Sequence, residues 1–440
     1  MKSPFYLKAI LVLAVCLSAG AFAITGLGLP NASLLSESPA VPIEQMAVTA
    51  SVAAPVAEPM PAPLPLPEPE PELEPEPPQI FNARLGFVGD LMVHQWQLDD
   101  ARRRGDGVHT FEHNFEPVIE YLQAPDLMIG NLETTLPGPE VGYTCFPIFG
   151  APDSFAEALK NAGFGLLTTA NNHGNDRRES GLIRTLDVLE SLGIYAVGTH
   201  RTAQDRDSVL IKDINGISFA FLAYSYSTNG IPLTAGKPYL LNLLDEALIE
   251  RDIQYAKTYD PDFIVVMPHM GDEYHSAPRQ VWRNWANFML EAGADMVIAH
   301  HPHVYQPMEV VEIEEEDGTI REGFIAFSLG NFISSQRTIP RDAGVILNME
   351  FEKIEGEQAF IKSISYIPTW VQFVDNRGQY NIQVLSVYDT LRAIENGEEV
   401  TVRNQDIARI RAVHAEATAM FSGEIVPLDE MQNEYFILQR

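Results

Sequence analysis

The stretch RLGFVGD, residues 84–90, is short, apolar and closed by an acid. Bounded in this way, it reads as a strand buried on both faces rather than as one turn of an amphipathic helix. The same grammar recurs in DLMIGN (126–131), FGLLTTA (164–170), IYAVG (194–198), FIVVMP (263–268) and ADMVIA (294–299). Helical patterns lie between several of these runs. Ser154 and Glu157 have the spacing of a capping box, and Gly163 suits the end of that helix. ESGLIRTLDVLESLG sets Leu182, Ile183, Leu186, Leu189 and Leu192 on one face and stops at Gly193. PRQVWRNWANFMLEAG sets Val281, Trp282, Trp285, Phe288 and Met289 on another, a core face bounded by Pro278 and Gly293. Two hairpins interrupt the alternation, turning at Asn215-Gly216 and at Asp317-Gly318. Residues 343–371 add two antiparallel strands, and the chain from about 385 onward reads as helical and polar. The sum predicts a mixed α/β chain with a layered sheet core and helices outside.

The polar residues that follow these strands carry the functional signal. Asp90 ends the first run; Asn131 and Glu133 end the second; Asn172 and His173 follow the third. His269 follows FIVVMP, the histidines 300, 301 and 303 follow ADMVIA, and Ser328–Asn331 follow FIAF. In open α/β sheets ligands bind beyond the carboxyl ends of the strands. Each residue alone has an ordinary reading as a turn former or a structural histidine. Six segments placing Asp, Glu, Asn and His at one rim form a stronger pattern than any member. Carboxylate, amide oxygen and imidazole without thiolate suit Mn²⁺, Fe²⁺ or Zn²⁺. The ligands outnumber what one tetrahedral ion takes and suit two adjacent ions sharing a carboxylate. Within IAHHPHVYQP (298–307), extended backbone would send His301 and His303 to one side and His300 to the other. His300 is then expected beneath the site, and Pro302 to fix a loop. His200 reads as a rim wall residue and His275 as a loop histidine; His109, His113 and His414 show no supporting pattern.

Composition narrows the class. A net charge of −31 over 440 residues argues against a nucleic-acid binder held by a basic surface. An anionic substrate would need local positive charge, which bound cations supply. Of two cysteines, Cys16 lies in the N-terminal apolar segment, leaving Cys145 alone, so neither a disulfide framework nor a thiolate zinc site is expected. Lys2 and Lys8 precede an uncharged run from Ala9 to Leu29, which reads as a signal peptide with Ala21-Phe22-Ala23 as its cleavage site, or as a membrane anchor. Either reading exports the rest, membrane-anchored or secreted. Residues 55–78 carry proline at nearly every second position, a polyproline II tether reaching on the order of 70 Å. The expected organisation is therefore an apolar segment over 1–29, a Pro/Glu-rich linker over 30–79, a main domain over 80–385 and a C-terminal extension over 386–440 packed on it.

GFVGDLMVHQ, IGNLETTLPGP, LLTTANNHGND, HMGDEY, HHPHVYQPMEV and FSLGNFIS resemble, in order, the motifs of the CapA-type capsule and poly-γ-glutamate biosynthesis family. That family is related to the calcineurin-like metallophosphatases, and the resemblance covers roughly residues 80 to 375. It implies a four-layer α-β-β-α sandwich with a metal site at one rim and a membrane-anchored protein whose domain lies outside the cytoplasm. Residue by residue, Asp90 resembles the first metal ligand, Glu133 the bridging carboxylate and Asn172 the amide ligand. His269 resembles the single late histidine, and His301 with His303 the final pair. His173 resembles the general acid beside the leaving group. His94, Asn131 and Asn331 are further candidates; His94 stands at Asp-x-x-x-His where the phosphatases have Asp-x-His. The bridge is Glu where the phosphatases have Asp, and Ala299 stands where glycine is common.

Two functions are expected from this reading. One is an exported dinuclear-metal hydrolase of exopolymer synthesis, acting on a phosphoester or amide-like bond. The other is a non-catalytic accessory that guides an anionic polymer. The partners expected are membrane synthetase and export proteins, with an anionic polymer or phosphoester as substrate and no nucleic acid.

Overall fold

The computed structural model describes residues 77–315 and 317–440. The apolar segment and nearly all of the linker lie outside the described residues, and no helix among the described residues is long and apolar enough to cross a membrane. The strands are β1 (Ile80–Leu91), β2 (Leu127–Leu132), β3 (Phe164–Thr168), β4 (Tyr195–Val197), β5 (Leu210–Ile214), β6 (Ile217–Ser225), β7 (Phe263–His269), β8 (Met296–Ile298), β9 (Tyr305–Glu314), β10 (Ile320–Leu329), β11 (Asn331–Ile333), β12 (Ala343–Ile354), β13 (Phe360–Asn376), β14 (Gln379–Ser386) and β15 (Tyr435–Gln439).

One sheet runs β14-β13-β12-β1-β2-β3-β4, with β11 beside β1 and β15 beside β13; the other runs β5-β6-β7-β8-β10-β9. Strands β1 to β4 are mutually parallel, and so are β6, β7, β8 and β10. Parallel strands covered on both faces read as continuous apolar runs, which is why these stretches lack alternation. Phe87, Leu166, Phe219, Met296, Phe324 and Phe351 fill the space between the sheets. The outer face of the first sheet is covered by helices Gln95–Arg104 and Asp153–Ala162 through Leu98, Ala101, Phe155 and Leu159. Helices Glu246–Lys257 and Gln280–Glu291 cover the second through Ile249, Ile253, Ala286 and Met289. The architecture is thus the four-layer α-β-β-α sandwich. Truncating one inter-sheet aromatic, such as Phe87, costs roughly 3–5 kcal/mol in a core of this kind.

Four local expectations are corrected. The Ser154/Glu157 capping box is not used: the N-cap is Pro152, and Asp153 pairs instead with Arg184 at 2.7 Å. In helix Gln280–Glu291 the buried residues are Ala286, Met289 and Leu290, while Val281 is exposed and Trp282, Trp285 and Phe288 are half-buried. Small Ala286 seats the helix close to the sheet and turns the bulkier side chains toward its flank. The chain beyond 385 is not wholly helical. Helices Val387–Glu395 and Ile407–Phe421 pack on β13, and the final segment returns as β15 antiparallel to it. The histidine loop is not extended: His301 and His303 have φ of 107° and 60°. The hairpin turn at Asn215-Gly216 is as expected, with φ of 54° and 89°.

Candidate metal centre

The predicted rim residues converge. Asp90 lies at the end of β1, Asn131 and Glu133 at the end of β2, and Asn171–Asp176 in the loop after β3. His269 ends β7, and His300, His301 and His303 follow β8. All are buried. Because the two sheets present the carboxyl ends of their parallel strands to the same crevice, residues some two hundred positions apart become neighbours.

Two trios of ligand-type side chains form at this crevice, with donor atoms within 4.8 Å of one another: Asp90, Glu133 and His303, and Glu133, His269 and His301. Glu133 belongs to both. Its Oε1 lies 3.8 Å from Nε2 of His303 and 3.8 Å from Nε2 of His269, and it has no hydrogen-bond partner among the described residues. The Asn172 Oδ1 lies 2.9 Å from His269 Nε2, which places it on the second trio. Glu273, Tyr226 and Tyr274 border the same space. Glu273 forms a third trio with His301 and His303, and the Tyr226 ring lies 4.6 Å from that of His301.

Asn131 holds the acids in place. Its Nδ2 donates to Asp90 Oδ1 at 2.8 Å and to Glu133 Oε2 at 3.4 Å, and faces His269 Nδ1 at 3.2 Å. Its Oδ1 accepts from Thr168 Oγ1 and Asn171 Nδ2, each at 3.1 Å, which fixes the amide the right way round. With both ends engaged, Asn131 orients the cluster and has no lone pair turned toward a cation.

The charges are set by burial and by each other. For Asp90 burial is the largest influence and would raise the carboxyl. The hydrogen bond from His303 Nδ1 at 2.9 Å and the charges of His303 and His300 outweigh it and hold Asp90 below the ordinary range. Burial, reinforced by the Asp90 charge, pushes Glu133 well above its ordinary value. Burial, then neighbouring imidazoles, holds His269 well below its usual value and His301 down to about 3. Both histidines are therefore neutral at physiological pH, the state in which imidazole binds a cation. Two neutral imidazoles, an amide oxygen, one ionised carboxyl and a second that only a nearby cation would ionise form a donor set suited to divalent metal.

His173 lies beside this cluster. Its Nδ1 donates to Asp176 Oδ2 at 2.7 Å, and the same oxygen accepts the Phe149 N–H at 2.6 Å. The Phe149 ring packs edge-on against both His173 and His94. His94 is half-buried, accepts from the Ser335 N–H through Nδ1 at 3.3 Å, and is held down to about 4 by burial and the nearby His303. That bond leaves Nε2 carrying the proton, so His94 adjoins the cluster as a hydrogen-bond donor and lies outside the trios. Asn331 uses its Nδ2 on the Arg341 carbonyl at 2.8 Å. His300 is buried, with neither ring nitrogen bonded among the described residues, and its backbone N–H joins β7 by donating to the Pro268 carbonyl at 3.0 Å.

The other histidines lie elsewhere. His200 bonds Asn242 Oδ1 at 3.2 Å, His113 pairs with Asp100 at 2.9 Å, His414 meets Tyr435 Oη at 2.7 Å, and His275 is exposed. Sequence reasoning missed Asp176, although it lies three residues past His173 in the quoted motif. It also missed Glu273, within HMGDEY.

The chain is 29% identical over 259 residues to the capsule biosynthesis protein CapA of Bacillus anthracis, covering 57% of this chain and 59% of that one. It is 29% identical over 266 residues to the PGA biosynthesis protein CapA of Bacillus subtilis (strain 168), covering 59% and 66%. It therefore spans less than two thirds of the length of either relative. Among solved structures, the calcineurin-like phosphoesterase YfkN from Bacillus subtilis superposes with a TM-score of 0.36 at 14% identity, over 77% of this chain and 98% of that one. The family model for the bacterial capsule synthesis protein PGA_cap matches residues 84–336, and the chain belongs to that family.

Proposed function

We propose that this protein is an exported, metal-dependent hydrolase of exopolymer synthesis that holds two divalent ions and acts on a phosphoester or amide-like bond. The observation that carries the reading is the place of Glu133 in both ligand trios, with its Oε1 buried and unbonded between His269 and His303. Asp90, Glu133 and His303 would hold one ion; Glu133, Asn172, His269 and His301 the other. Manganese, iron and zinc all suit these donors. When bound, the ions supply charge at the scissile bond and a nucleophile at neutral pH.

The remaining steps belong to the chain. Asn131 keeps Asp90 and Glu133 turned toward the ions. Asp176 fixes the His173 ring through Nδ1, which leaves Nε2 as the atom that would deliver a proton to the leaving group. Phe149 packs against that ring and limits water on its flank. The N-terminal apolar segment and the Pro/Glu-rich linker support a domain tethered outside the cytoplasm, alongside the membrane synthetase and export proteins of the polymer pathway.

The test is metal content and turnover of the purified full chain. We expect close to two equivalents of Mn²⁺ in the wild type, a clear loss in Glu133→Gln, and hydrolysis of a generic phosphodiester that His173→Asn lowers by roughly 10²–10⁴-fold. A chain that takes up no metal, or whose metal content ignores Glu133→Gln, overturns the reading. Metal uptake without turnover of phosphodiester or γ-glutamyl amide would instead assign an accessory role in guiding the polymer.

A further inference from the structure

Arg341 differs from several arginines that carboxylates engage. Arg279 is engaged by Asp272, Arg283 by Glu309, and Arg409 by Asp342 and Glu416. Even the adjacent Asp342 is committed, to Arg409 and to Trp370 Nε1. Among the described residues, Arg341 makes no ion pair, in a chain of net charge −31. Its guanidinium carbon lies 3.2 Å from the centroid of the Tyr274 ring. The Tyr274 ring in turn stacks on His303, centroids 5.9 Å apart at 29°. Guanidinium, phenol and imidazole thus form one stack that ends on the trio of Asp90, Glu133 and His303.

Both partners are fixed by backbone. Tyr274 has φ of 69°, and its N–H donates to the Pro302 carbonyl at 2.8 Å, tying it to the loop that carries His301 and His303. A non-glycine residue holds that conformation only where its surroundings over-determine it, and such residues gather at ligand clamps. The Arg341 carbonyl accepts from Asn331 Nδ2 at 2.8 Å, and Asn331 pairs with Asp90 across β1 and β11. The arginine is therefore referenced to the same strand end as the first metal ligand. The stacked face of a guanidinium is occupied, while its in-plane N–H groups remain directed outward in a fork that matches a carboxylate or phosphate.

We propose that Arg341, seated on Tyr274, is a subsite for an anionic group of the substrate, a carboxylate or phosphate adjoining the bond acted on at the metal centre. The inference rests on the reading of that centre as hydrolytic, and it gives an otherwise acidic protein a fixed positive charge one aromatic ring away from that centre. Glu273, next to Tyr274 in sequence, groups with His301 and His303 and makes no ion pair with Arg341 among the described residues.

The experiment titrates the full chain with γ-linked triglutamate and, separately, with inorganic phosphate. Each is measured by calorimetry at low salt, in Mn²⁺-loaded protein and again after chelation. Metal content is determined for every variant. Arg341→Gln is expected to weaken at least one probe tenfold or more with Mn²⁺ content at the wild-type value. Arg341→Lys, which keeps the charge and loses the fork, should fall between the two. Loss for triglutamate alone assigns a carboxylate subsite, and loss for phosphate alone a phosphate subsite. Wild-type protein that binds neither probe, or Arg341→Gln and Arg341→Lys that bind both within twofold of wild type, overturns the proposal. A chain without metal would sink the proposed hydrolase, while the chelated titrations would still decide the role of Arg341.

Discussion

Asn131 touches Asp90, Glu133 and His269 through one amide nitrogen and is itself held by Thr168 and Asn171 through its oxygen. Outer partners of this kind orient ligands, and losing one costs roughly 10–100-fold in metal affinity. Asn131→Asp should be worse than Asn131→Ala, since it sets a third carboxylate against two that already repel. The expected order of Mn²⁺ affinity is wild type, then Ala, then Asp, read by competition with a chelator; equal affinities would remove Asn131 from the cluster's support. Residue types at this scale were legible because a buried parallel strand places its first polar residues where it leaves the core. Asp90, Glu133, His269 and His303 could be named for that reason. Partnerships across space could not. Nothing in the local sequence joins Arg341 to Tyr274, or marks Asp153 as a partner of Arg184 rather than a helix residue with an idle side chain. The histidine loop shows the same limit. His301 and His303 do share a site, with ring centroids 5.9 Å apart. They reach it through left-handed backbone on either side of Pro302, not through the alternation of an extended strand.

At the scale of elements, the end of β1 is where fold and site are joined. The Asp90 N–H donates to the Gly330 carbonyl at 3.0 Å, and a Cβ on Gly89 would sit 1.8 Å from that carbonyl oxygen. The close crossing of β1 with the turn between β10 and β11 therefore requires glycine at 89, and it brings a strand from one sheet against a loop from the other. Gly89→Ala must push these elements apart. The expected result is a loss of roughly 1–3 kcal/mol of stability, as for other overpacked sites, read as a lower urea midpoint, together with weaker Mn²⁺ binding because Asp90 moves with the strand. An unchanged midpoint would mean that the crossing opens freely. The parallel strands were read to within a few residues, since short apolar runs between turn residues have few alternatives, whereas β14 was not read as a strand. Strand β15 was not, because its partner β13 lies some seventy residues away and its own sequence, YFILQ, is short and half-exposed.

Across the whole molecule, histidines kept neutral by burial make stability depend on pH, and His200 tests this away from the metal centre. It follows β4 at the edge of the first sheet, bonds Asn242 Oδ1, and is held down to about 4 by burial and then by Arg206. In the unfolded chain the same imidazole titrates near its ordinary value of 6.5. Between these values the unfolded state binds more protons, so stability rises with pH across the window. The contribution is present above about pH 6.5 and is lost as pH falls through about 4. The full shift would be worth on the order of 3 kcal/mol. Partial exposure reduces that, and about 1 kcal/mol is expected at pH 5. His200→Gln keeps a donor for Asn242 and carries no titrating proton, so its urea midpoint should fall less than that of the wild type between pH 7 and pH 5. Chelated protein should be used for both, so that metal release does not contribute. Parallel losses in the two proteins would show that His200 is as accessible to protons in the fold as in the open chain, and that the edge between β4 and β5 admits water.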